Sequence, residues 1–219
     1  MNYSNQQFDS RIVGEFKESI QVKQEVIRAQ VPILVKITQA WLQALKNGNK
    51  IIFCGNGGSA ADSQHIAAEL VSKFRRERRT LPAIALTTDT SILTSIANDY
   101  SYEDVFSRQV EALGQAGDVA VGISTSGTSP NVLKAMQSAA KMGITTVGFT
   151  GMDGSKLKDC VDICFHAPSR STPRIQEVHI TVAHALCEII EGELLVPAGY
   201  LNGNPHNHIE IDAGARSTQ

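Results

Sequence analysis

Residues 51–70, IIFCGNGGSAADSQHIAAEL, join a short apolar run to a glycine loop and then to a segment of helical character. The run 51–54 has the length and composition of a buried strand. Glycines in the loop 55–59 allow a tight turn and a close approach of the backbone to a ligand. The N–H groups at the start of the next helix favour an anion, and Ser59 fits the N-cap position. The stretch predicts a strand–loop–helix unit that can hold a phosphate, although an ordinary strand-to-helix turn is an equal alternative for this loop alone.

The alternation of strand and helix continues along the chain. Short apolar runs rich in Val and Ile occur at 51–54, 83–87, 119–123, 145–149 and 161–165. Helical stretches are predicted near 59–73, 91–98, 104–113, 129–142 and 174–195. Strands that are apolar on both faces indicate an α/β fold, in which helices cover both sides of a parallel sheet. In such folds, ligands bind at the carboxyl ends of the strands.

The segment 6–46, before the first strand, has helical periodicity. Apolar residues recur every four positions at Phe8, Ile12, Phe16 and Ile20. Pro32 should break or kink this pattern, so we expect two helices or one bent helix.

Three regions follow from these patterns. Residues 1–49 are predicted to form a helical segment that packs on the core. Residues 50–196 are predicted to form the main domain. Residues 197–219 are rich in Gly and Asn and have no periodicity, so they are predicted to form a loose C-terminal tail.

Composition and charge argue against several classes of protein. The chain has 219 residues, of which 42% are hydrophobic, and its formal net charge is −2. This charge indicates no excess of basic residues that could bind nucleic acid or a membrane surface. No run reaches the roughly 18 apolar residues of a membrane span. The cysteines form no CxxC pair and are interpreted as reduced, mostly buried thiols; they are Cys54, Cys160, Cys164 and Cys187. We therefore expect a cytoplasmic protein.

A second loop strengthens the phosphate interpretation. The apolar run 119–123 leads into Ser124-Thr125-Ser126-Gly127-Thr128-Ser129, and Pro130 then stands at a first-turn helix position. Five hydroxyls in six residues at the end of a strand exceed what a helix cap needs. Hydroxyls and helix-start N–H groups together can bind phosphate without Lys or Arg. A serine-rich turn without a ligand is the alternative.

The helix predicted at 59–73 carries two candidate metal or acid–base residues. His65 and Glu69 are four residues apart, which places them about 40° from each other around the helix. They lie roughly opposite a predicted apolar face of Ile66, Ala67, Leu70, Val71 and Phe74. Such a pair can be a solvent-exposed helix pair, or it can chelate a metal.

The helix predicted at 174–195 repeats this arrangement. Gln176 and His184 lie about 80° apart on its polar side. The predicted buried stripe consists of Val178, Val182, Ala185, Leu186 and Ile189. His179 falls nearer to the stripe and is predicted to be a packed structural histidine. Plain solvent exposure of the polar side is the alternative, and the two helices share a site only if the fold or the assembly brings them together.

Several segments together resemble the phosphoheptose isomerase family of the sugar isomerase (SIS) fold. They are CGNGGSAADSQHIAAEL (54–70), ANDY (97–100), GDVAVGISTSGTSPNVLKA (117–135) and RIQEVHITVAHALCEIIE (174–191). The resemblance implies a three-layer, flavodoxin-like α/β fold with a five-stranded parallel sheet, helices on both sides and long N-terminal helices. It also implies conversion of sedoheptulose 7-phosphate to D-glycero-D-manno-heptose 7-phosphate through an enediol, for ADP-heptose and lipopolysaccharide core biosynthesis. The implied assembly is a homotetramer with active sites at subunit interfaces, and residues 1–49 are expected to pack in this oligomer as well as on the core.

The resemblance also implies roles for individual residues. The implied contacts to the sugar phosphate are Asn56, Gly57, Gly58, Ser59, Glu69, Asn98, Asp99, Ser124, Thr125, Ser126, Ser129 and Gln176. The implied ligands of one zinc ion per site are His65, Glu69, Gln176 and His184. An aldose–ketose isomerase needs a base on the carbon and an acid on the oxygens. Glu69 is the predicted base and His184 the predicted acid.

A non-catalytic relative of the same fold offers an alternative function. The segments NGNKI, LPAIAL, IAND and RIQE are also similar to the initiator-associating protein, an SIS tetramer that binds the bacterial replication initiator and regulates chromosome replication. Such an adaptor would act through an exposed surface and would have no need for Glu69 beside a phosphate loop. A sugar-phosphate-sensing regulator is a third option, although we find no DNA-binding segment in the sequence.

Overall fold

The structure, a computed structural model, describes residues 5–152 and 155–195. The predicted tail at 197–219 lies outside these residues. Two long helices come first, α1 (Asn5–Ala29) and α2 (Val31–Lys46). Strands and helices then alternate: β1 (Ile51–Gly55), α3 (Gly58–Val71), β2 (Ala83–Ala85), α4 (Thr90–Asp99), a 3-10 turn (Tyr102–Asp104), α5 (Ser107–Leu113), β3 (Val119–Ser124), α6 (Pro130–Lys141), β4 (Thr145–Thr150), α7 (Ser155–Lys158), β5 (Ile163–His166) and α8 (Thr172–Glu193).

The five strands form one parallel sheet in the order β2-β1-β3-β4-β5. The chain moves from β1 outward to β2 and then crosses back to β3, so the direction of winding reverses between β1 and β3. At such a switch point the loops that follow the two strands separate and leave a crevice for a ligand. The glycine loop after β1 and the serine-rich loop after β3 both begin at this crevice. The predicted flavodoxin-like fold with a five-stranded parallel sheet is confirmed.

Helices cover both faces of the sheet and create two apolar cores. Alternate residues of β1 point to opposite sides, so Phe53 faces one core and Cys54 the other. The first core contains residues of α1, α2, α3 and α8, among them the fully buried Trp41, whose ring meets the Phe53 ring edge-on at 5.4 Å between centroids. The second core contains residues from α4 to α7. The sheet is therefore the middle of three layers.

Segment 6–46 was expected to form two helices or one bent helix, and the structure has two. The break falls at Gln30, and Pro32 occupies the first turn of α2, where its missing N–H costs no helix bond. Val22 and Val26 of α1 are buried in the first core. By contrast, the regularly spaced apolar residues of α1 remain exposed in the single chain: Phe8, Ile12, Phe16 and Ile20.

The structure differs from the predicted burial on two helices. On α3, Ile66, Ala67 and Leu70 are buried but Val71 is exposed, because the helix ends there. On α8, Ala185 and Ile189 are exposed, so their predicted burial is wrong. The buried face of α8 turns instead toward Ala183, Cys187 and Ile190, because the helix packs between α3 and the helices α1 and α2.

Further differences concern short elements and ends. β5 begins at Ile163 and not at 161, and the four-residue α7 before it has no counterpart among the predicted helices. Segment 104–113 divides into a 3-10 turn and the helix α5. Among the described helices, none combines the length and the apolar character needed to cross a membrane.

Candidate active site

The glycine loop after β1 turns directly into α3. Gly57 caps the helix with φ at 56°, a left-handed conformation that glycine adopts without strain. The helix begins at Gly58, so the prediction of Ser59 as N-cap is wrong. Ser59 lies within the first turn and is 3% exposed, beneath the loop and against Gly55.

Gly58 has a close neighbour from α8. A Cβ at this position would collide with the side-chain amide of Gln176. Gln176 is half-buried, so the start of α3 and the start of α8 pack against each other through a glycine and an amide. The structure therefore brings Gln176 to the glycine loop, as a sugar-phosphate contact would require.

The two phosphate-type loops are joined by a pair of amides. The Nδ2 of Asn56 donates to the Oδ1 of Asn131 at 2.8 Å, and the Nδ2 of Asn131 donates back to the Oδ1 of Asn56 at 2.9 Å. Asn131 stands in the first turn of α6 and is only 2% exposed. The hydroxyl of Tyr102 also donates to the Oδ1 of Asn56, at 3.2 Å. These bonds fix the glycine loop relative to the serine-rich loop.

The serine-rich loop holds its hydroxyls close together. The hydroxyl oxygens of Ser124 and Ser129 lie 2.9 Å apart, and that of Ser126 lies 3.5 Å from Ser124. Ser126 also accepts hydrogen bonds from the N–H and the hydroxyl of Thr128. The cluster stands at the start of α6, whose N-terminal end favours an anion. Thr125 and Ser126 also line a cavity of about 310 Å³ that extends toward Ser169 and Thr172.

The other predicted substrate contacts lie at the end of α4. Asn98 and Asp99 are exposed, and the Nδ2 of Asn98 donates to the Oδ1 of Asp99 at 2.8 Å. Their link to the loops is the following segment, which carries Tyr102 to Asn56.

Three of the four predicted metal ligands meet farther along α3 and α8. The Nε2 of His65 lies 3.1 Å from the Oε1 of Glu69 and 3.3 Å from the Nε2 of His184. The ligand atoms of the three residues all lie within 4.8 Å of one another. The two helices run side by side within one chain, so His184 reaches His65 and Glu69 without a second subunit. Of the two routes left open by the sequence, the fold or the assembly, the fold alone brings these three residues together.

The donor set fits a zinc ion. Zinc binds imidazole nitrogen at about 2.0–2.1 Å in a tetrahedron, which implies about 3.3 Å between two nitrogen ligands. The distance of 3.3 Å between the two Nε2 atoms matches this value. Burial, and to a smaller degree the neighbouring His65, lower the pKa of His184 although Glu69 opposes them, which favours the neutral form that a metal ligand needs. Gln176 lies apart, because eight residues of helix separate it from His184 by about 12 Å along the axis.

Two neighbours complete the surroundings of the cluster. The ring of Phe74 lies 5.5 Å from the ring of His184 and forms an apolar wall on one side. Asp62 lies one turn before His65 on α3, and burial raises the pKa of its carboxyl group while the charge of His65 lowers it.

His179 takes no part in the cluster. It is fully buried, its Nε2 lies 3.1 Å from the carbonyl oxygen of Thr150, and its ring packs between Phe149 and Phe165. Burial lowers the pKa of His179 to about 4, although the hydrogen bond to Thr150 opposes this. The prediction of a structural histidine is confirmed.

Sequence reasoning missed Asn131, Tyr102 and Phe74. Asn131 follows the proline that begins α6. A polar residue is common in the first turn of a helix, so its position alone does not indicate a function. Tyr102 lies in a segment without periodicity, and Phe74 was predicted only as part of the apolar face of α3, not as a neighbour of His184. Their partners come from distant parts of the chain, so no local spacing points to them.

Comparisons with known proteins agree with this geometry. The family described as "SIS domain" matches residues 15–151. The chain is 57% identical over 194 residues to a phosphoheptose isomerase of Roseiflexus sp. (strain RS-1), covering 89% of this chain and 98% of that protein. It is 52% identical to the phosphoheptose isomerase of Clostridium acetobutylicum, covering 84% and 94%. The solved structure of phosphoheptose isomerase GmhA from Neisseria gonorrhoeae superimposes with a TM-score of 0.80 at 46% identity, covering 84% of this chain and 99% of that one.

Proposed function

The chain belongs to the phosphoheptose isomerase family, within the wider SIS domain family, and from this premise we propose that it converts sedoheptulose 7-phosphate to D-glycero-D-manno-heptose 7-phosphate. The product would supply ADP-heptose and lipopolysaccharide core biosynthesis. The observation that carries the proposal is the meeting of Glu69 with His184, about three helical turns from a pair of loops suited to phosphate.

The loops bind the phosphate end of the substrate. The N–H groups at the start of α3 and α6 and the hydroxyls of Ser124, Ser126 and Ser129 take the phosphate oxygens. Further contacts to the phosphate end come from Asn56, Gly57, Gly58, Ser59, Thr125 and Gln176. The sugar hydroxyls are contacted by Asn98 and Asp99. From Gly58 to His65 the helix α3 rises by about 10 Å. The Oε1 of Glu69 lies 3.1 Å from the Nε2 of His65, so a seven-carbon chain that lies along α3 brings its unphosphorylated end to the Glu69 carboxylate.

The reaction moves one proton between carbons and one between oxygens. Glu69 removes a proton from C1 of the ketose, which gives an enediol, and returns the proton to C2. His184 donates a proton to the oxygen on C2 and accepts the proton from the hydroxyl on C1. One nitrogen of the ring can both donate and accept in this exchange, so the other nitrogen stays available as a metal ligand.

We also propose a zinc ion at this site. His65, Glu69 and His184 would hold it, and Gln176 joins the set only if the start of α8 moves or a second subunit contributes it. Bound zinc would supply Lewis-acid polarisation of the substrate's carbonyl oxygen.

The assembly is proposed to be a homotetramer that closes the site. The side chain of His65 is 47% exposed, and a second subunit that covers it would exclude water from the reacting end. We place the reaction in the cytoplasm, on the ground that Cys54, Cys160, Cys164 and Cys187 are free thiols.

The test is turnover of pure protein with sedoheptulose 7-phosphate, with zinc and with a chelator. The wild type should form the aldose, and Glu69→Gln should reduce kcat by at least about a hundredfold, because a general base contributes about 10²–10⁴-fold. Glu77→Gln is the matched control, since Glu77 is an exposed carboxylate paired with Lys73, and it should keep wild-type turnover. A folded Glu69→Gln protein that loses less than about tenfold would refute the assignment of the base. Absence of turnover by the zinc-loaded wild type would favour the adaptor that binds the replication initiator.

A further inference from the structure

A buried ion pair lies where the helices that carry the cluster come to their ends. The Nε of Arg78 is 3.2 Å from the Oε1 of Glu191, and both side chains are 1% exposed. Arg78 belongs to the irregular segment 72–80 that follows α3, and Glu191 belongs to the last turn of α8. Glu191 ends the segment 174–191 quoted above for the family resemblance, but neither residue was assigned a role there.

Glu191 binds the irregular segment through its backbone. Its Oε1 accepts the N–H of Phe74 at 2.9 Å, and its Oε2 accepts the N–H groups of Arg75 and Arg76 at 2.8 and 2.9 Å. Burial alone would raise the pKa of this carboxyl group, but the three N–H groups and the charge of Arg78 lower it below its ordinary value. Glu191 therefore stays ionised and holds three consecutive backbone groups in place.

Arg78 extends the contact to the helix that carries His65 and Glu69. Its Nη2 donates to the backbone oxygen of Glu69 at 2.7 Å, and its Nη1 donates to the backbone oxygens of Ser72 and Arg79 at 3.2 and 2.9 Å. The pair thus connects the carbonyl of Glu69 to α8 seven residues beyond His184. It also holds Phe74, whose ring lies against the ring of His184.

We propose that Arg78 and Glu191 are positioning residues that hold Glu69 on α3 at the distance from His184 on α8 that zinc binding and proton transfer require. The proposal rests on the proposed function, because it assigns the pair a role in the same site. At the other end of the helix pair, the contact of Gln176 with Gly58 sets the separation. The cluster lies between these two contacts. Loss of the Arg78–Glu191 contact therefore changes the distance between α3 and α8 at His184 and leaves the phosphate loops in place.

Stability alone is a weak explanation for this pair. Removing two charges from water costs free energy that their attraction often fails to recover, and apolar replacements of buried pairs are frequently neutral or stabilising. The directed bonds to the Glu69 carbonyl and to the backbone of 74–76 are what an apolar pair could not supply.

The test compares Arg78→Lys, Glu191→Gln and the control Glu188→Gln. Arg78→Lys keeps the buried positive charge but loses the planar guanidinium group, which donates to several carbonyl oxygens at once. Glu188 lies one turn before Glu191 on α8 and contacts Arg75 and Arg76 of the same segment, but it is exposed at 30%. The measurements are the zinc Kd by competition with a chelating dye, kcat and KM for sedoheptulose 7-phosphate, and Tm.

The expected result is selective for the cluster. Arg78→Lys should raise the zinc Kd by about tenfold or more, as residues that orient metal ligands typically do. It should lower kcat with KM nearly unchanged, because an interaction needed for the chemical step is lost while phosphate binding is kept. Glu188→Gln should behave as the wild type. Glu191→Gln should show the same selective loss if it folds; if it does not, Arg78→Lys decides.

Three outcomes would overturn the proposal. The first is an Arg78→Lys protein with wild-type zinc Kd and kcat, whatever its Tm, because the pair would then be structural only. The second is an equal loss in Glu188→Gln, which would indicate a general effect of charge. The third is a wild type that neither binds zinc nor turns over the sugar phosphate, and this outcome alone would also remove the proposed function.

Discussion

Individual residues divide between those that act at the site and those that hold it. His65 and His184 face each other at 3.3 Å and are partly accessible, whereas His179, one turn and a half before His184 on the same helix, is fully buried between aromatic rings. The same residue type therefore has two roles on α8, and only the direction of the side chain distinguishes them. His179 should make stability depend on pH.

Acid should destabilise the protein through His179. Its pKa is lowered from 6.5 to about 4 in the folded protein, so between these values the unfolded chain binds a proton that the folded chain does not. The contribution of the neutral His179 to the free energy of unfolding is complete above pH 6.5 and is lost as the pH falls toward 4. At pH 5 the expected loss in the free energy of unfolding is about 2 kcal/mol relative to pH 7.

Urea unfolding at both pH values measures this loss. His179→Gln keeps a donor for the Thr150 carbonyl but cannot titrate, so its stability should fall less between pH 7 and pH 5. Equal decreases for the variant and the wild type would show that other groups cause the acid sensitivity.

The elements that build the site are two helix starts at the switch point and one pair of parallel helices. The starts of α3 and α6 supply the loops, and the amides of Asn56 and Asn131 join them. Farther along, α3 and α8 run side by side and carry the cluster. The phosphate end and the reacting end are therefore separable, and a change at one should leave the other working.

Asn131→Ala should weaken substrate binding more than catalysis. The change removes two part-buried hydrogen bonds to Asn56, each worth about 1 kcal/mol, and releases the glycine loop from the serine-rich loop. A loss of about 2 kcal/mol corresponds to about a thirtyfold increase in KM for the sugar phosphate, since 1.4 kcal/mol is tenfold, while kcat should change little.

Steady-state kinetics check this expectation, with Ser138→Ala as the matched control. Ser138 lies on the same helix and donates to the exposed Glu111, far from the loops, so its removal should change neither constant. A large decrease in kcat with KM unchanged in Asn131→Ala would contradict the separation of the two ends.

The whole molecule presents an apolar surface that one chain does not cover. On α1, Phe16 is 69% and Ile20 54% exposed. A groove of about 320 Å³ between α1, α2 and α8 is lined by Val26, Leu34 and Val178, among others. Contiguous apolar surface of this kind is typical of subunit contacts, and it supports the proposed tetramer.

Charges placed on this surface should dissociate the assembly. Phe16→Glu with Ile20→Glu would put two carboxylates into an apolar contact, where unpaired charge is costly. Sedimentation velocity should then detect species smaller than those of the wild type, with loss of activity.

Lys17→Glu is the control, because it adds the same kind of charge at an exposed position beside Phe16. It should sediment as the wild type does. An unchanged assembly in the double variant would show that α1 does not form the contact.

Much of the architecture could be predicted from local patterns. Apolar runs separated by helical periodicity predicted the five parallel strands and their order of appearance, and glycine and serine at strand ends predicted the two loops. His65 and Glu69 could be paired because four residues of helix place them on one side. These features depend on neighbours in the chain, so spacing was sufficient.

The tertiary structure alone decided which distant residues meet. His65 and His184 are 119 residues apart, and their contact depends on the packing of α3 beside α8 within one chain. The same packing put Gln176 against Gly58 and Arg78 against Glu191. Periodicity describes one element at a time, whereas the distance between side chains of two elements follows from how their surfaces fit together. The sequence by itself thus determined the fold and the residues available for chemistry, and the packing of two helices decided which of them form the site.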